Sequence, residues 1–81
     1  KTVTVYSTTH CGSCASLKKW LDSKGVEYQN VNLEERPELQ AEVIAKSGSM
    51  QVPVTIIADT DGNEQVVNGP KFADISSALG L

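Results

Sequence analysis

The sequence predicts an α/β domain with one four-stranded mixed sheet flanked by three helices, in the order β-α-β-α-β-β-α. Three observations predict it. Apolar residues alternate at the start of the chain and then switch to helical spacing, so a strand feeds a helix. Val54 to Ala58 is a nearly continuous apolar run, the mark of a strand buried on both faces. A turn containing Asp61-Gly62 then returns the chain as a hairpin. With 81 residues, the chain is expected to form one domain spanning residues 1–81, with a thin stability margin.

The elements follow in order. Thr2 to Tyr6 places Val3 and Val5 on one face of a first strand, and Ser7-Thr8-Thr9-His10 is a polar turn leading to Cys11. From about Gly12 to Lys24, Cys14, Leu17 and Leu21 share a helical face, with Trp20 beside them. Gly25 sits where a left-handed glycine stops a helix. Val26 to Leu33 reads as the second strand, containing Tyr28 and Val31. Pro37 suits the first turn of a helix that carries Leu39, Val43 and Ile44 inward and ends at Gly48. Glu34, Glu35 and Glu38 lie near that start, where negative charge is favourable, and read as a solvated helix entry. After the Val54–Ala58 strand, Glu64 to Val67 returns. A last helix carries Phe72, Ile75 and Leu79, with Gly69-Pro70 either preceding or opening it. The first two strands are joined through a helix and are therefore parallel with a right-handed crossover, whereas the last two are antiparallel.

Composition narrows the function. Hydrophobic residues make up 40% and charged residues 21%, a globular balance with few aromatics, so the core rests on Val, Ile, Leu and Ala. The net charge is −3, with no Lys/Arg cluster of the kind nucleic-acid binding needs. No apolar run reaches membrane-spanning length. Lys1 to Val5 reads as mature protein without a signal peptide, and the missing initiator Met leaves room for a removed upstream segment.

The two cysteines, Cys11 and Cys14, stand three residues apart. A bridge between them closes almost no loop and adds little stability, so the spacing belongs to a redox pair or to half a metal site. The pair lies where a strand meets a helix. There, unpaired N–H groups and the positive end of the helix dipole stabilise a thiolate and lower its pKa. Cys11 is the expected nucleophile, and Cys14, one turn on and on the apolar face, is the expected resolving thiol. Gly12 and Ser13 leave room for a partner to approach. The alternative is a pair of ordinary buried cysteines.

The run Val5-Tyr6-Ser7-Thr8-Thr9-His10-Cys11-Gly12-Ser13-Cys14, with Lys18 after it, resembles the active-site segment of glutaredoxins and glutaredoxin-like redoxins. Met50-Gln51-Val52-Pro53-Val54 is similar to their second signature, and Asn68-Gly69-Pro70 occupies the third. The resemblance spans essentially the whole chain. It implies a thioredoxin-like fold of glutaredoxin type with Pro53 cis, and Val52 offering its backbone beside Cys11 to a peptide or to glutathione as an added strand. It also implies a cytoplasmic monomer without a bound cofactor that reduces the disulfides of proteins or of low-molecular-weight compounds. The reductant would be glutathione or an NADPH-linked thioredoxin reductase.

Three departures from the family pattern bear on glutathione. Thr8 stands where a basic residue is typical, and Gly12-Ser13 replace a Pro and an aromatic. Asn68-Gly69-Pro70-Lys71 replaces a Gly-Gly pair followed by an acidic residue. Each removes a contact to the tripeptide. The pattern moves toward bacterial redoxins that draw on thioredoxin reductase, some of which serve ribonucleotide reductase.

Single residues carry competing readings. His10 either steadies the thiolate or is an exposed loop histidine, the commoner case. Lys18 either adds positive potential near the site or is simply solvated. Tyr6 either lines the substrate groove or closes the strand core, Gly69 belongs with the substrate groove through the third segment, and Trp20 reads as core. No metal site is expected within the chain. A rival function is an iron–sulfur or metal carrier using the two cysteines at a dimer interface.

Overall fold

The computed structural model describes residues 2–48, 52–69 and 71–80. Four strands, β1 (Thr2–Ser7), β2 (Gln29–Asn32), β3 (Val54–Ala58) and β4 (Glu64–Asn68), form one sheet in the order β2-β1-β3-β4. β1 pairs parallel with β2 and antiparallel with β3, and β3 pairs antiparallel with β4. The helices are α1 (Gly12–Ser23), α2 (Gln40–Ser47), preceded by a 3-10 turn at Pro37–Leu39, and α3 (Phe72–Leu79). The predicted element order and mixed sheet are therefore present.

Strand alternation divides the core into two layers, one on each face of the sheet. On one face, Val3 and Val5 of β1, Ile57 of β3 and Val67 of β4 pack with Leu17 and Leu21 of α1 and Ile75 of α3. Trp20 and Phe72 border this cluster, with ring centroids 5.2 Å apart. On the other face, Val54 and Ile56 pack with Val43 of α2 and with Leu33. β3 serves both layers, which is why its sequence lacks polar alternation. The cost falls on Thr55, which is fully buried and whose hydroxyl has no hydrogen-bond partner among the described residues.

Two boundaries differ from the sequence reading. β2 covers only Gln29–Asn32, not Val26 to Leu33. Gly25 adopts φ 69° and its N–H donates to the Asp22 carbonyl, while the Val26 N–H donates to the Leu21 carbonyl at 3.0 Å. This Schellman closure ties Val26 to the end of α1 and keeps it out of the strand ladder. Val26 and Tyr28 still pack against the first core layer, so the apolar signal reported burial and not strand. The helix after Pro37 begins as a 3-10 turn, and its α-helical part starts only at Gln40.

Candidate functional site

The site end of the sheet is assembled from three segments distant in sequence. Tyr6 pairs with Val54, and Val54 with Asn68, so the end of β1, the start of β3 and the end of β4 lie along one sheet edge. α1 starts from the same edge, immediately after the loop that leaves β1.

Cys11 is the N-cap of α1, with extended backbone at φ −121° and ψ 106°. Its Sγ accepts a hydrogen bond from the Cys14 backbone N–H at 3.2 Å. A side-chain acceptor in this position satisfies one of the helix's unpaired donors, and for a thiolate the same bond is charge-assisted. Cys11 is partly exposed, whereas Cys14 is 1% exposed on the core face beside Leu17. The two are joined by a disulfide, with Cα atoms 5.2 Å apart. The fold thus holds a partly exposed N-cap cysteine and a buried cysteine one turn on, joined sulfur to sulfur.

The other predicted residues fall into distinct roles. Gly12 and Ser13 are exposed, and a Cβ built on Gly12 meets nothing within 4 Å. The chain itself therefore does not require glycine there. The Val52–Pro53 bond is cis, and Pro53 is fully buried. Among the described residues, Val52 has no backbone hydrogen-bond partner. Gly69 adopts φ 77° and its N–H donates to the Pro53 carbonyl at 2.8 Å, so it binds the two loops of the edge together. Met50, Gln51 and Pro70, named with the second and third segments, lie outside the described residues.

Tyr6 is partly buried and packs against the second core layer. Lys18 is partly buried and makes no ion pair among the described residues. His10 is exposed, and its charge acts on Glu34. Among the described residues, no group of three or more His, Cys, Asp and Glu side chains is placed to hold a metal ion.

The sequence reading missed Asn32 and Glu34. The Glu34 carboxyl is held below its ordinary value, chiefly by hydrogen bonding from the Thr9 side chain, with the Thr9 backbone and the His10 charge adding to it. Read along the chain, Glu34 was one of three acids before a helix. The available signal was Asn32, an Asx-turn former at a strand end, two residues before an acid.

An N-cap cysteine disulfide-linked to a buried partner one turn on, at the edge of a β2-β1-β3-β4 sheet, defines a thiol–disulfide oxidoreductase of the thioredoxin-like fold. Within that class, the glutaredoxin family profile matches residues 3–61, and the chain belongs to the glutaredoxin family. A glutaredoxin of Pseudomonas aeruginosa is 40% identical over 58 residues, 72% of this chain and 69% of that protein. The glutaredoxin-like protein NrdH of Lactococcus lactis is 38% identical over 52 residues, 64% of this chain and 71% of that protein. The fold superposes on the glutaredoxin-like NrdH-redoxin of Escherichia coli, a protein with a thioredoxin-like activity profile. The TM-score is 0.78 at 25% identity, covering 95% of this chain and 93% of that one.

Proposed function

We propose that this chain is a dithiol redoxin in which Cys11 attacks and Cys14 resolves, drawing electrons from an NADPH-linked thioredoxin reductase and passing them to protein disulfides. The observation that carries the assignment of roles is the asymmetry of the pair. Cys11 is partly exposed and its Sγ accepts from a helix N–H, while Cys14 is buried one turn on. The Cys11 thiolate attacks one sulfur of the substrate disulfide, and the other sulfur leaves as a thiolate that takes up a proton. Cys14, deprotonated, attacks Cys11 Sγ and expels the second substrate thiolate. The protein is left with the Cys11–Cys14 disulfide, and two electrons from the reductase restore the dithiol.

Three features support placing the substrate along the cis Val52–Pro53 segment. The unpaired backbone of Val52 offers an edge for an incoming extended chain. Gly69 braces Pro53 from behind. Gly12 and Ser13 present no bulk beside Cys11. Thr8, Gly12-Ser13 and Asn68-Gly69 weigh against glutathione as reductant, and the likeness to NrdH proteins weighs toward thioredoxin reductase. A disulfide of ribonucleotide reductase is the protein substrate to try first. The reading sets the protein in a reducing cytoplasm as a monomer.

The test is NADPH-coupled reduction of a model disulfide with two supplies in parallel, thioredoxin reductase alone and glutathione with glutathione reductase. Turnover confined to the first supply is expected. Comparable turnover with glutathione would overturn the assigned reductant. Full activity of Cys11→Ser would overturn the assigned nucleophile.

A further inference from the structure

The reactivity of Cys11 depends on where its loop holds it. In the disulfide form its sulfur lies 3.2 Å from the Cys14 N–H, with the backbone in the extended N-cap conformation. α1 constrains that conformation from the C-terminal side. On the N-terminal side the loop 8–10 is exposed or partly exposed and carries no hydrophobic side chain to anchor it in the core.

What holds this loop is the end of β2 and the turn after it. The seam between β1 and β2 continues past the ladder: the Leu33 N–H donates to the Ser7 carbonyl at 2.8 Å, and Ser7 Oγ donates to Asn30 Oδ1 at 2.9 Å. Beyond it, Asn32 Oδ1 accepts from the Glu34 N–H at 2.9 Å, which fixes the turn. Asn32 Nδ2 then donates to Thr9 Oγ1 at 3.0 Å. Glu34 Oε2 accepts from the Thr9 backbone N–H at 3.3 Å. Side chain and main chain of Thr9, two residues before the nucleophile, are thus both gripped from a segment more than twenty residues away.

We propose that Asn32 and Glu34 clamp Thr9 and thereby position Cys11 over the first turn of α1. They are positioning residues, and the proposal rests on Cys11 being the nucleophile. A loosened loop lets Cys11 Sγ leave the Cys14 N–H, which destabilises the thiolate relative to the thiol. The negative charge of Glu34, acting through space alone, has the opposite sign: it opposes ionisation of Cys11, and removing it favours the thiolate. Clamp and charge therefore predict opposite outcomes.

The experiment measures iodoacetamide alkylation of the reduced protein against pH, with Cys11 quantified by peptide mass spectrometry and thermal melting recorded beside it. In the wild type, the Cys11 midpoint should lie below the ordinary thiol value of about 8.5. Asn32→Ala and Thr9→Val should raise that midpoint by roughly half a unit or more, slowing alkylation about threefold or more at a pH below both midpoints. Glu34→Gln keeps an acceptor for the Thr9 N–H and should stay within about twofold of wild type, allowing for the small gain from lost charge. Faster alkylation in Glu34→Gln with Asn32→Ala unchanged would replace the clamp with a charge effect. Lower melting temperatures with an unmoved midpoint would reduce both residues to structural supports and overturn the proposal. An ordinary midpoint in the wild type itself would refute the nucleophile assignment, and the clamp with it.

Discussion

The two ends of the sheet are built by opposite means. At the far end, the turn between β3 and β4 is closed by its own residues. Asp59 Oδ1 accepts from the N–H groups of Asp61 and Asn63 at 2.9 and 3.0 Å, the Gly62 N–H donates to the Asp59 carbonyl, and Gly62 takes φ 88°. This is a three-residue hairpin loop with a left-handed glycine, closed by hydrogen bonds among neighbours in sequence. At the Cys11 end the loops lean on distant segments. The loop after β1 is held from the end of β2, and the start of β3 is held from the end of β4. A locally closed turn tolerates change elsewhere, while an edge assembled from distant segments makes the chemistry depend on each of them.

Substitutions at the two ends should separate these two modes of construction. The largest effect is expected at Cys14, where Cys14→Ser removes the resolving thiol. Multiple-turnover reduction by the dithiol route should fail, and a mixed disulfide between Cys11 and substrate should accumulate, visible by mass spectrometry as an adduct. Gly69→Ala comes next. Its left-handed backbone strains any Cβ although the space is open, so stability should drop by about 1–2 kcal/mol in denaturant titration. Because Gly69 braces Pro53, activity of the remaining folded protein should fall as well.

At the far end, Asp59→Ala removes acceptors from the turn and should cost roughly 1 kcal/mol. In contrast to Gly69→Ala, turnover per folded molecule should be unchanged, and a loss of activity there would show that the two ends are coupled. Gly12→Ala sharpens the comparison from the other direction. The backbone there does not need glycine and a Cβ meets no neighbour, so stability should hold or rise by about 0.4–1 kcal/mol. A rise in KM for protein disulfides without loss of stability would show a partner packing against that position.

The smallest effect concerns pH. The folded state depresses the Glu34 carboxyl, so Glu34 contributes stability that is full at neutral pH, begins to fade as pH falls through 4.5, and is gone below the lower folded value. A carbon-detected NMR titration should place the Glu34 midpoint below 4.5, and Thr9→Val should move it back toward that value.

How much of this was legible beforehand depends on how local the cause was. Val54 to Ala58 announced a doubly buried strand by composition alone, and Gly25 and Gly48 both stop their helices in the left-handed conformation. Cys11 and Cys14 could be placed from spacing and from the strand-to-helix switch, since a cap and a buried face one turn on are properties of a single helix. Val26 and Tyr28 misled, because an apolar residue signals burial and burial does not require a ladder. Tyr6 stayed ambiguous for a similar reason, since a partly buried ring against the second core layer fits both readings.

The sequence by itself determined the element order, the two core layers and the redox pair, because periodicity, turn chemistry and capping act within a few residues of their cause. The tertiary structure alone decided the brace from Gly69 to Pro53 and the grip of Asn32 and Glu34 on Thr9. These are hydrogen bonds between groups sixteen or more positions apart, and their partners become neighbours only when the parallel β1–β2 pair and the antiparallel β3–β4 pair bring separate loops to one edge of the sheet.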